Sequence, residues 1–126
     1  MGRAAGIAIV VETGPEVVAG STRMKAGTAQ KLVLNMLSTG AMTRLGYVYG
    51  NLMVNVHLQS RKLVERGLTI LERAAGLDRK AARKALQAAG NDVPVALVML
   101  KAGLGRAQAR RRLAAAHGHV RKAIEA

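Results

Sequence analysis

The sequence predicts a mainly α-helical chain with one short strand, and three observations point there. Apolar residues recur at helical spacing along two stretches, from about 28 to 45 and from 51 or 60 to 75. One β-branched run, IAIVVE at 7–12, has the composition of a strand. The last third of the chain repeats itself: ARKALQAAGNDVPVAL at 82–97 aligns with ARRRLAAAHGHVRKAI at 109–124, an offset of 27 residues.

The run at 7–12 is bounded by Gly6 and by Thr13-Gly14, and reads as one buried strand of the kind found in parallel sheets. A single strand cannot make a sheet, so its partners must come from elsewhere. The first helix is expected from Thr28, a good N-cap type, to Leu45, with Gly46 as the stop. Its apolar stripe is Ala29, Leu32, Val33, Met36 and Leu37, and Gly40 marks either a weak point or a close approach. Tyr47, Tyr49, Gly50 and Asn51 form a connection. The second helix starts near Asn51 or Ser60 and ends at Ala75 before Gly76, burying Leu63, Val64, Leu68, Leu71 and Ala75. Met24, Met36, Met42, Met53 and Met99 are expected to fill gaps in a core.

Within the repeat, Ala82 matches Ala109, Arg83 matches Arg110, Leu86 matches Leu113, Ala89 matches Ala116, Val93 matches Val120 and Ala96 matches Ala123. Each copy reads as helix, tight turn, helix, with the Val after the turn packing on the Leu before it. Pro94 suits a helix start, and Gly103 ends the first copy. The same pattern is open to reading as a helix-turn-helix.

Composition excludes several classes. At 126 residues the chain is one domain, or a small domain plus part of another. It has no cysteine, so disulfides and thiolate-held metals are excluded. No apolar run approaches the roughly 18–20 residues that span a bilayer, and 5–11 is a poor signal core because Glu12 follows at once. The expectation is a cytoplasmic protein without a membrane span. The net charge is +13, and residues 79–126 hold 11 Lys and Arg against Asp92 and Glu125. Such an excess can mark a nucleic-acid or membrane-surface partner. A solvated face of Arg-rich helices is the favoured explanation, and no aromatic residues interleave to stack on bases, which argues against nucleic acid.

The chain's chemistry gathers in 14–35, GPEVVAGSTRMKAGTAQKLVLN. Ser21 and Thr22 offer hydroxyls, Arg23 and Lys25 offer charge-assisted donors, and a helix N-terminus follows. That combination suits a phosphate or carboxylate. The competing reading is a loop whose hydroxyls merely cap the next helix. Lys31 and Asn35 lie four apart on one helix face, suited to a ligand, a partner subunit or simple solvation. Glu16 is the one carboxylate of the stretch. His57 reads as structural. His117 and His119, two apart, fall on different sides of a helix with no carboxylate or cysteine beside them, so no metal site is expected.

Gly-Pro-Glu at 14–16, GSTRMKAGT at 20–28, Lys31 and Asn35 resemble the signature of N-acetylmuramic acid 6-phosphate etherases, shared with the glucokinase regulatory protein, in the sugar isomerase (SIS) domain superfamily. YGNLMVNV at 49–56 and KLVERG at 62–67 continue the resemblance and favour the etherases, although Asn55 and Ser60 stand where Asp and Asn are expected.

The resemblance implies a layout: 1–50 as the C-terminal part of a SIS-type α/β domain, 51–77 as a connecting helix, and 78–126 as a small helical bundle resembling a ubiquitin-associated domain. It implies cleavage of a D-lactyl ether from an amino-sugar phosphate, without metal or organic cofactor, by a homodimer. Ser21, Thr22, Arg23, Lys25, Glu16 and Lys31 are the residues it suggests for substrate binding. Catalytic residues are expected upstream of this stretch, and the Met1-Gly2-Arg3 start reads as a truncation that leaves the chain catalytically incomplete. A non-catalytic sugar-phosphate-binding module is the alternative, and a basic nucleic-acid-binding protein a more distant one.

Overall fold

Capping chemistry and apolar periodicity together set most element boundaries. The computed structural model describes residues 6–126 and divides into two compact units, Met1–Gly40 and Ala41–Ala126. It is mainly helical, with six helices and one two-stranded antiparallel sheet among the described residues.

In the first unit, residues 6–24 form neither helix nor strand, and α1 (Lys25–Arg44) follows, its last turn belonging to the second unit. The expected strand at 7–12 does not form. Among the described residues it pairs with no strand, and Ile7 and Val10 stay 86% and 81% exposed. Ile9, Val11 and Thr13 instead line a shallow groove of about 230 Å³ with Ala26, Ala29 and Val33 of α1.

α1 begins three residues before the expected Thr28, whose N–H already donates to the Met24 carbonyl at 3.0 Å. It runs unbroken through Gly40, where an added Cβ would meet nothing. No residue of α1 is buried. Met24, Met36, Met42 and Met53 are therefore surface residues and not core filler; Met99 alone of the five packs partly against the core.

The second unit opens with a hairpin, β1 (Val48–Tyr49) and β2 (Leu52–Met53), where the sequence suggested only a connection. Gly50, at φ +61°, sits first in the two-residue turn, the position that favours glycine. Val54, next after β2, is fully buried, and its N–H donates to the Tyr47 carbonyl at 2.9 Å. α2 (Arg61–Ala75) starts at Ser60, whose hydroxyl accepts from the Leu63 N–H, and stops at left-handed Gly76. Leu68 and Leu71 are buried as expected, together with Gly67 and Ile70, whereas Leu63, Val64 and Ala75 are half-buried.

The repeat becomes α3 (Arg79–Ala88) and α4 (Val93–Ala102), then α5 (Arg106–Ala115) and α6 (Val120–Glu125), each pair starting 27 residues after its counterpart. Ala82 and Ala109, Val93 and Val120, and Ala96 and Ala123 are all buried, and Leu86 is buried where Leu113 is half-buried. α4 is apolar almost all round, buries Val93, Val95, Ala96, Leu97 and Val98, and packs against α2, α3, α5 and α6. At its start, Asp92 Oδ1 accepts from the Val95 N–H at 3.0 Å, and left-handed Gly103 ends it. On the surface, Arg79 bridges Glu65 and Glu72, the latter at 3.0 Å. His117 and His119 both lie in the link between α5 and α6, and so do not stand on two sides of one helix as their spacing suggests.

Candidate functional site

The loop at 14–27 is tied to α1 by one carboxylate. Glu16 accepts hydrogen bonds from the Lys25 N–H, at 3.0 and 3.1 Å to its two oxygens, and from the Ala26 N–H at 3.1 Å. These are free donors of the helix's first turn, the groups that would otherwise meet an external anion. Glu16 is thus an internal occupant of the helix terminus. Lys25 Nζ donates to the Pro15 carbonyl at 2.7 Å, which pins the same corner from its other side. The Arg23 N–H donates to Ser21 Oγ at 3.3 Å, and the Gly27 N–H to the Thr22 carbonyl at 2.9 Å. Gly27 is packed tightly there: an added Cβ would stand 3.3 Å from that carbonyl.

The structure brings Glu16, Ser21, Thr22, Arg23 and Lys25 into one loop corner, and leaves their roles unequal. The Glu16 carboxylate and Lys25 ammonium are engaged within the loop. The Thr22 hydroxyl and the Arg23 guanidinium, both on exposed residues, have no partner among the described residues; Ser21 Oγ accepts and keeps its proton to donate. Lys31 is exposed further along α1 and makes no hydrogen bond or ion pair among the described residues. The loop can present hydroxyl and guanidinium donors to an anion, and it has no uncommitted carboxylate for moving protons.

Sequence reasoning missed a second concavity, wholly inside the second unit. A cleft of about 430 Å³ lies between the residues on either side of the hairpin, Tyr47 and 55–58, and the turns that link α3 to α4 and α5 to α6. Tyr47, Asn55, His57, Asn91 and His117 face it with side chains that make no hydrogen bond among the described residues. His57 is exposed on this cleft and does not support the core. The signal was latent in the repeat, because Asn91 and His117 both lie in its turns.

No family model matches the chain. Against curated proteins it is 52% identical over 124 residues to the N-acetylmuramic acid 6-phosphate etherase of Klebsiella aerogenes, a match that takes in 98% of this chain and 41% of that protein. It is 50% identical over 116 residues to the enzyme so named in Deinococcus radiodurans, and 52% over 124 residues to that of Mycolicibacterium smegmatis. This chain matches a C-terminal portion of the N-acetylmuramic acid 6-phosphate etherase family.

The chain spans about two-fifths of the length of these etherases: 41%, 38% and 42% of the three proteins. Because the etherase match takes in nearly every residue, it includes the loop corner, the hairpin and both copies of the helical repeat. Among the described residues no group of His, Asp or Glu could hold a metal ion, and no helix is long and apolar enough to cross a membrane.

Proposed function

We propose that this chain is the loop-bearing, helical C-terminal part of an N-acetylmuramic acid 6-phosphate etherase, a lyase that converts its substrate to N-acetylglucosamine 6-phosphate and D-lactate. The observation that carries this reading is identity of about 50% along almost the whole chain to proteins of that name. The loop geometry supports a binding share for this part. Ser21, Thr22 and Arg23 supply donors for the phosphate or the lactyl carboxylate, Lys25 and Glu16 hold the loop in shape, and Lys31 adds positive charge further along α1.

The reaction removes the D-lactyl ether by elimination. A base takes the proton on the carbon next to the sugar's carbonyl, the C3–O bond breaks as an acid protonates the departing lactate oxygen, and water then adds at C3. Glu16 is committed to backbone N–H groups. The loop therefore has no free carboxylate for proton transfer, and the resemblance to the etherases puts the acid–base groups outside this chain, which then binds without turning over. The same commitment of Glu16 keeps open a purely binding, regulatory role for such a module. The apolar surface of α1, uncovered among the described residues, suits a role as the last layer of a SIS domain that pairs into a homodimer.

Thermal-shift titration with N-acetylmuramic acid 6-phosphate tests the reading, since a ligand of the folded form raises the melting temperature by mass action. The shift should shrink in Arg23→Ala, whose side chain supports nothing in the fold. A cooperative melt unmoved by ligand would refute sugar-phosphate binding by this chain alone, and D-lactate release by it would refute the placement of acid–base chemistry elsewhere.

A further inference from the structure

We propose that the cleft of the second unit is a binding site for a neutral sugar ring, separate from the signature loop. Three observations carry this. The cleft, at about 430 Å³, lies in the range of about 300–1,000 Å³ typical of small-molecule sites. Its polar lining has the right chemistry for hydroxyls: a phenol, two carboxamides and two imidazoles, each able both to donate and to accept. A sugar hydroxyl does the same. Neither Lys nor Arg is among the lining residues, although the Arg106 guanidinium packs against the lining residue Gly90, so the lining itself brings no cation to an anionic group. Asp92, the one carboxylate there, is partly committed to capping α4 through Oδ1. Leu58, Pro94 and Leu113 give the apolar patch on which the C–H face of a ring can rest.

The third observation is conformational. Among the described residues, the non-glycine residues with left-handed backbone are Asn91, at φ 61°, and His117, at φ 51°, and both line this cleft. They occupy the paired turns of the repeat, Gly90-Asn91 and His117-Gly118, in which all four residues are left-handed. The turns satisfy the same carbonyls in both copies: Asn91 N–H donates to Leu86 at 2.9 Å, and Gly118 N–H to Leu113 at 2.8 Å. That hydrogen bonding asks for glycine at both turn positions. Each copy places a hydrogen-bonding side chain at one of them, and both side chains point to the same cleft. Asn and His adopt this conformation more readily than most residues and glycine more readily still, so two such side chains, unbonded within the protein and lining one cleft, fit a site that uses them.

The arrangement supplies its own control, because glycine removes each side chain while easing the backbone. The experiment is an amide-resolved NMR titration of the whole chain with glucose, with N-acetylglucosamine and with N-acetylglucosamine 6-phosphate. It is repeated on Asn91→Gly/His117→Gly after its melting temperature has been measured. Expected are saturable shifts from both neutral sugars at residues 55–58, 90–92 and 117–118. Affinity in the double variant should fall about tenfold, as removing one to two hydrogen bonds implies, with a melting temperature equal to or above that of the parent. No saturable shift in those segments, or undiminished binding by the folded double variant, overturns the proposal. So does a cleft that prefers the phosphorylated sugar. Shifts confined to 20–27 with the phosphorylated sugar would leave the loop reading standing while refuting this one.

Discussion

Glu16 caps the helix that begins at Lys25. Both oxygens of its carboxylate accept from the Lys25 N–H, and the Lys25 ammonium returns to the carbonyl of Pro15, so two charged side chains lock the loop onto the helix start. A carboxylate beside a helix N-terminus is favoured by the helix dipole as well as by its hydrogen bonds. Glu16→Ala should therefore cost about 1 kcal/mol of helix stability. Hydrogen exchange at the Lys25 and Ala26 amides should accelerate while the amides of α4 are unaffected. Unchanged protection in the variant would show that the cap is dispensable.

Gly46 is held against His119. A Cβ at Gly46 would stand 2.4 Å from the imidazole Cγ and 2.5 Å from the His119 Cα, and the backbone there has φ +82°. Gly46→Ala combines overpacking with left-handed strain, and should destabilise the second unit by about 2–4 kcal/mol. Clearance is limited by the His119 backbone as well as its ring, so adding His119→Ala should restore only part of the loss. Urea denaturation of the single and double variants measures both effects.

The two copies of the repeat are unequally capped. Asp78 caps α3 and Asp92 caps α4, whereas the equivalent positions, Gly105 and His119, offer no side-chain cap to α5 and α6. Gly105 has φ −71° and ψ 159°, open to any residue, and an added Cβ would meet nothing. Gly105→Asp should stabilise the unit by about 0.5–1 kcal/mol through a new cap and a less flexible unfolded chain, read as a higher urea midpoint. Asp92→Ala should lower it by about 1 kcal/mol.

Leucines of α1 and α4 should answer differently to truncation. Leu97 is fully buried, and Leu97→Ala should cost about 2–5 kcal/mol. Leu32 and Leu37 are each 56% exposed, and their replacement should stay within about 0.5 kcal/mol. A large loss at Leu32 in the isolated chain would mean that another surface covers α1 in solution, and its dependence on protein concentration would identify self-association.

What could be read from the sequence was what local chemistry determines. Ser60 and Gly76 bracket α2, Gly103 ends α4, and the Val and Leu of each repeat copy pack as their spacing demands. The misreadings share a dependence on distant partners. IAIVVE has strand composition, but a ladder needs a neighbouring edge. Thr28 looked like the cap of α1 because the real one, Glu16, lies nine residues before Lys25. Met24, Met36, Met42 and Met53 are of a core-filling residue type, but nothing among the described residues covers them. In the loop, residue types announced an anion site but not that Glu16 fills the helix terminus. The cleft residues lie in four separate stretches, at 47, 55–58, 90–94 and 113–118, and only folding brings Tyr47, Asn55, Asn91 and His117 together.

Because α4 packs against α2, α3, α5 and α6, it belongs to both copies of the repeat at once. In a solenoid each module touches only its neighbours, and an array can gain or lose modules one at a time. Here the duplicated units share a keystone. Residues 41–126 should melt as one cooperative block in which neither helical pair outlives the other, and excising α5 and α6 would strip α4 of two of its four helix partners. The duplication visible in the sequence is therefore a record of pattern and not a seam along which the protein can be divided.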